Sequence, residues 1–261
     1  MKYLRFDDGG GAKWGELRGD EIAVLSGSPL EDGIRTDETR ALAKVKILPP
    51  VQPPNIVALG KNYAEHALEI GGVVLKEPVV FLKATSAVIA HGEDILLPRT
   101  HPDEVDYEAE LAVVIGKTGK HIAREKAKEY IFGYTAANDV SARDCQQRID
   151  KQWARGKSFD TFCPLGPWIE TEFDPSDVMV RLKLNGQTMQ EQSTRDLIFD
   201  VPAIVAHVSS FMTLTPGTVI LTGTPAGVGM ARTPPVFLRE GDVTEVEIEG
   251  LGVLRNKVCR E

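Results

Sequence analysis

The sequence predicts a mixed α/β, mostly-β fold with a small N-terminal β-rich unit. Short apolar, β-branched stretches recur along the 261 residues at irregular spacing. Few segments carry helical patterning. Strands and helices do not alternate regularly, as a doubly wound α/β sheet requires. With 42% hydrophobic residues, the chain can bury a sizeable core.

Taken in order, residues 1–50 read as the small unit. Stretches such as Glu21-Ile22-Ala23-Val24-Leu25 alternate with Gly-rich turns. The segment Leu48-Pro49-Pro50-Val51-Gln52-Pro53-Pro54 predicts a stiff, extended linker. It leads into the larger unit, 51–261. Residues 55–60 read as a buried strand. Asn62 is expected to cap a short helix that Gly71-Gly72 ends. Strands are expected at Val79–Lys83, Ile95–Leu97 and Val105–Ile115, and a helix from about Ala123 to Tyr130. A long loop containing Lys157 then leads to Trp168-Ile169-Glu170. Further strands are expected at Met179–Leu184, Val219–Thr222, Val243–Ile248 and Val253–Val258, with a helix near Val201–Phe211.

The net charge of −8 and the lack of a Lys/Arg-rich run argue against nucleic-acid binding. No apolar run approaches bilayer-spanning length, and the N-terminus lacks a signal-like apolar stretch. Cys145, Cys163 and Cys259 are odd in number and widely spaced. A disulfide framework is therefore disfavoured, and a reducing, cytoplasmic setting is expected.

The segment Val105-Asp106-Tyr107-Glu108-Ala109-Glu110-Leu111-Ala112-Val113-Val114-Ile115 draws the argument toward chemistry. On a strand, Asp106, Glu108 and Glu110 share one face. They could form a solvated face. However, the strand runs into Ala-Val-Val-Ile, apolar on both faces, so it enters a core. Neighbouring carboxylates there repel unless a cation lies between them. Carboxylate ligands suit Mg²⁺ or Mn²⁺. Two are too few, and Asp139 is a candidate third, although locally it also reads as a turn residue or cap.

The motifs together are specific. They are Gly60-x-Asn62-Tyr63-x-x-His66-x-x-Glu69, Asp106-Tyr107-Glu108-x-Glu110-Leu111-Ala112, Asn138-Asp139-x-Ser141-Ala142-Arg143-Asp144, Lys157-Ser158-Phe159-Asp160 and Thr222-Gly223-Thr224-Pro225-x-Gly227-Val228-Gly229, closed by Gly241-Asp242 and Gly250-Leu251-Gly252. In this order, over about residues 53–258, the chain resembles the fumarylacetoacetate hydrolase family. The resemblance implies a β-roll around a twisted sheet as the catalytic domain over 51–261, a homodimer, and Glu108, Glu110 and Asp139 as metal ligands. Asp106 matches no ligand position. Ala84 stands where relatives often carry proline, a departure that would alter loop stiffness and not chemistry.

His66 and Glu69 are three residues apart on the short helix and face one way. H-x-x-E alone suits an ordinary surface pair, but the family pattern implies a catalytic dyad. The glycines flanking it, Gly60 and Gly71-Gly72, suit a lid. Lys157 is not in a P-loop, because position 151 is lysine. By itself it reads as a loop lysine, and by resemblance it stabilises developing negative charge. By resemblance Arg143 and Gln146 would bind the substrate's acid end, and by themselves they read as one exposed helical face. Thr224 lies in a Gly-rich turn whose backbone N–H groups could hold a carboxylate.

The implied substrate is a small 2-oxo acid chelated by the metal. The dyad favours acylpyruvate- or fumarylpyruvate-type hydrolysis. Oxaloacetate-type decarboxylation and keto–enol or 2-hydroxyhepta-2,4-diene-1,7-dioate isomerisation remain open. A catalytically inactive metal- and 2-oxo-acid-binding protein is the alternative of another class.

Overall fold

In the computed structural model, which describes residues 1–74 and 76–261, two sheets carry most of the chain. The larger has twelve strands. Its path runs Arg35–Ala41, Glu21–Leu25, Ala12–Arg18, Lys2–Asp7, Cys163–Glu170, Ile131–Asn138, Ala109–Ile115, Val219–Leu221, Ile56–Gly60 and Val79–Lys83. Lys46–Leu48 adds to Lys2–Asp7, and Val88–Ile89 to Cys163–Glu170. The smaller sheet has five strands, in the order Gln187–Ser193, Met179–Leu184, Val243–Ile248, Gly252–Arg260 and Ile95–Leu97. A short pair joins Val105–Asp106 to Ser141–Ala142. Among the described residues no helix is long and apolar enough to cross a membrane, and all three cysteines are unpaired.

The architecture is mixed and mostly β, as the patterning predicts. The N-terminal strands close their own small apolar cluster of Leu4, Phe6, Ile22 and Val24, against which Trp168 packs. Their sheet does not stop there. Lys2–Asp7 pairs antiparallel with Cys163–Glu170, Lys2 opposite Glu170. The proline-rich connection is also packed, with Val51 only 3% exposed.

Several elements differ from their sequence reading. The strand ending in Trp168-Ile169-Glu170 begins at Cys163. Pro164, Gly166 and Pro167 hide it, because such residues usually mark the end of a strand. Gln187–Ser193 forms a strand although its sequence, QTMQEQS, is polar. The helix expected near 123–130 is a 3₁₀ helix over Arg124–Tyr130. The supposed long loop holds a π-helix, Cys145–Ile149, and a single α-turn, Ala154–Lys157.

Asn62 does not cap the helix Ala64–Glu69. Tyr63 takes the N-cap position and makes no side-chain cap bond. The Asn62 amide instead donates to the carbonyls of Phe199 (3.0 Å) and Thr222 (2.8 Å), and its oxygen accepts from Phe199 N–H (2.9 Å). It thereby ties the end of Ile56–Gly60 to the segment following Val219–Leu221. Buried polar groups left without partners cost about 1–3 kcal/mol each. Asn62→Ala should therefore lower stability by roughly 2–4 kcal/mol. A fall in the urea midpoint at constant slope is the expected result.

Candidate metal centre and active site

The acidic segment is not one continuous strand. It breaks at Tyr107-Glu108 into Val105–Asp106 and Ala109–Ile115. Asp106 consequently does not share a face with the other two carboxylates. Its oxygens accept from Arg143 Nε (2.8 Å) and from the backbone N–H groups of Gly229 (2.8 Å) and Met230 (3.0 Å).

The core half explains how the remaining acids meet. Ala109 stands opposite Asn138 in the antiparallel ladder. Glu108 and Asp139 therefore flank each other just past its end, where Asp139 N–H donates to the Glu108 carbonyl (2.8 Å). Glu110 lies one rung inward. Ligand oxygens of Glu108, Glu110 and Asp139 fall within 4.8 Å of one another, and all three residues are buried.

Each acid has a different electrostatic setting. Burial pushes the Glu108 carboxyl up, but Lys157, Arg143 and His66 hold it well below the usual range. Lys157 Nζ donates to Glu108 Oε2 and Asp139 Oδ2, both at 2.7 Å. Arg143 Nη1 meets Glu108 Oε1 at 2.7 Å. Burial lowers the Lys157 ammonium, yet Asp139 and Glu108 leave it raised overall. Glu110 is pushed well above its ordinary value by burial and by the charges of Asp139 and Glu108. Its Oε2 accepts from Gly223 N–H (2.6 Å), while Oε1 is buried with no hydrogen-bond partner among the described residues.

Lys83 belongs to this cluster and was not singled out from the sequence. Its Nζ donates to Asp139 Oδ1 (2.5 Å) and to the Val140 carbonyl (3.2 Å). The only signal was a lysine closing an apolar strand, Val79–Lys83. Such a residue is rarely buried unless paired.

By its sequence the Gly-rich turn offers a cradle for a substrate carboxylate. Several of its backbone donors serve carboxylates of the chain itself. Gly223 serves Glu110, Gly227 serves both oxygens of Glu69 (3.0 Å each), and Gly229 and Met230 serve Asp106. Gly223 and Gly227 have φ of +101° and +103°. A Cβ on Gly227 would lie 2.2 Å from the Met189 carbonyl oxygen, so no other residue fits there. The Thr224 hydroxyl donates to the Ala109 carbonyl (3.0 Å) and accepts from Gln190 Nε2 (2.7 Å).

His66 Nδ1 lies 2.8 Å from Glu69 Oε1. A carboxylate accepts in this bond, so Nδ1 carries a proton, and in the neutral ring Nε2 carries the lone pair. Arg143 and Gln146 are buried, not on an exposed helical face, and Arg143 Nη1 donates to Gln146 Oε1 (2.8 Å). His66, Glu108, Arg143, Gln146, Lys157 and Thr224 line one cavity. Ile70, at the end of the His66 helix, lines it too, while Leu68, Val73 and Val74 are exposed.

Three buried carboxylates, one of them with an unpartnered oxygen, fit a hard divalent cation. Removing one partner of a buried charge pair costs about 3–5 kcal/mol. Lys157→Met should therefore lose on that order of stability in chelator. Adding Mg²⁺ should raise its melting midpoint more than that of the wild type, which differential scanning calorimetry would read.

The family model described as fumarylacetoacetate (FAA) hydrolase, C-terminal, matches residues 55–259. A second, described as Rv2993c-like, N-terminal, matches residues 1–50. The mitochondrial oxaloacetate tautomerase Fahd2a of Rattus norvegicus is 47% identical over 220 residues, covering 83% of this chain and 70% of its own. The solved structure of 5-carboxymethyl-2-hydroxymuconate delta-isomerase from Mycobacterium smegmatis is 42% identical, with a TM-score of 0.91 and full coverage of both chains. That of 2-hydroxyhepta-2,4-diene-1,7-dioate isomerase from Mycobacterium marinum is 39% identical, with a TM-score of 0.90, covering 100% of this chain and 99% of its own. With motifs, fold and four-fifths of its length in agreement, the chain belongs to the fumarylacetoacetate hydrolase family.

Proposed function

We propose that the protein is a divalent-metal-dependent tautomerase of a small 2-oxo acid, using Mg²⁺ or Mn²⁺. The observation that carries this reading is the placement of His66, its ring oriented by Glu69, in the cavity lined by Glu108, the member of the Glu108, Glu110 and Asp139 cluster that reaches it. The cluster would hold the cation. When bound, the cation supplies a Lewis acid for the carboxylate and ketone oxygens of the substrate.

The chain's own residues handle the proton. His66 Nε2 takes the proton from C3 of the 2-oxo acid, whose electron pair becomes the C2–C3 double bond. The carbonyl π pair moves onto the 2-oxo oxygen, which takes a proton from water while His66 releases its own to solvent, and no bond to C4 breaks. Glu69 keeps the imidazole in the required tautomer, and Gly227 N–H anchors Glu69. Lys157 and Arg143 offset charge developing on oxygen. Arg143 has a buried Nη2 without a partner among the described residues, which suits it to the substrate's acid end, with Gln146 beside it. Thr224 lines the cavity with its hydroxyl committed to Ala109 and Gln190, which leaves its backbone N–H as the group that would meet a substrate carboxylate.

The dyad taken alone favours hydrolysis. Relatives named for tautomerase and isomerase activities support proton transfer without bond cleavage instead. The test is the ultraviolet decay of enol-oxaloacetate with Mg²⁺, beside a panel of acylpyruvates and fumarylpyruvate. Chelator should remove the acceleration, and His66→Ala should lower kcat by about 10²–10⁴-fold. Cleavage of an acylpyruvate, or release of CO₂ from oxaloacetate, without faster tautomerisation would overturn the proposal.

A further inference from the structure

We propose that Lys61 selects 2-oxo acids that carry a second negative charge, pairing with the anionic group remote from the 2-oxo acid end. This rests on the tautomerase reading above. Lys61 lines the same cavity as His66, Arg143 and Lys157. Arg143 and Lys157 are each matched by two carboxylates of the chain, Asp106 with Glu108 and Glu108 with Asp139. Lys61 forms no ion pair among the described residues, unlike the buried lysines of the cluster. Away from the acidic cluster the cavity lining is mostly apolar, with Leu59, Ile70, Phe81, Trp153 and Met230 beside Gln147. A second anionic group entering this cavity therefore meets Lys61 as its unmatched cation.

The backbone shows that this position is held. Lys61 has φ of +60°, a region that a side chain-bearing residue keeps only when its surroundings impose it. Both neighbours are fixed. Trp153 stands within 2.6 Å of where a Cβ on Gly60 would be. Asn62 is tied by three hydrogen bonds. The Lys61 ammonium lies 3.3 Å from the point a Gly72 Cβ would take, beside the segment that follows the His66 helix. A strained backbone that delivers a lone cation to a cavity edge points to a ligand role.

The test compares oxaloacetate with phenylpyruvate, a 2-oxo acid that enolises but has no second carboxylate. A charge-assisted bond of ordinary strength predicts that Lys61→Met lowers the ratio of kcat/KM for oxaloacetate over phenylpyruvate about 10-fold or more. The loss should appear in KM, and Lys61→Arg should restore most of it. Methionine bears the same backbone cost as lysine at this φ, so a folding defect is not expected, and a thermal melt checks it. Calorimetric binding of oxaloacetate and pyruvate to the Mg²⁺-loaded protein asks the same question without turnover. A ratio unchanged in Lys61→Met, in kinetics and in binding, overturns the role of Lys61. Failure of the wild type to tautomerise either substrate, with selective binding retained, overturns the tautomerase reading alone.

Discussion

Carboxylates gathered in a protein interior must be matched by cations or give up their charge. Asp106, Glu108, Glu110 and Asp139 are each at most 5% exposed. The chain answers with Lys83, Arg143 and Lys157, each within ion-pair distance of one or two of them. Four acids thus face three bases. Glu110 is the acid without an ion-pair partner among the described residues, touched by a backbone N–H and set close to the charges of Asp139 and Glu108. A further cation among the three ligand carboxylates would relieve their mutual repulsion.

The sheet supplies the acids and the Gly-rich turn supplies their restraint. The antiparallel register of Ala109 on Asn138 places Glu108 beside Asp139. Val219–Leu221 pairs with both Ala109–Ile115 and Ile56–Gly60. The turn that follows it therefore emerges between the cluster and the His66 helix. Its N–H groups bind one carboxylate of the cluster, one of the dyad and the one that orients Arg143. Dyad and cluster are held in mutual position by the same few backbone donors, so a change in the turn would disturb both.

Much of this was legible in the sequence for physical reasons. Period-two patterning and β-branched content marked most strands. The i, i+3 spacing placed His66 with Glu69. Carboxylates leading into Ala-Val-Val-Ile signalled burial. What escaped depended on distant partners. Lys83 meets an aspartate 56 positions away, and nothing local distinguishes it from a lysine at a strand end. Asp106 looked like a third member of one strand face because the break at Tyr107-Glu108 has no glycine or proline to announce it. The polar strand Gln187–Ser193 exists because its neighbour Met179–Leu184 pairs with it, which single-segment patterning cannot register. The turn glycines were visible, but the identity of their guests was not.

The central claim is that Glu108, Glu110 and Asp139 form one divalent-cation site. Isothermal titration of chelator-treated protein with Mg²⁺ measures it most directly, comparing wild type with a Glu110→Gln variant that keeps shape and removes the charge. The account predicts one site per chain, weakened at least about 100-fold in the variant, beyond what loss of a mere supporting contact produces. Equal affinity in both proteins, or no saturable binding to the wild type, would contradict it.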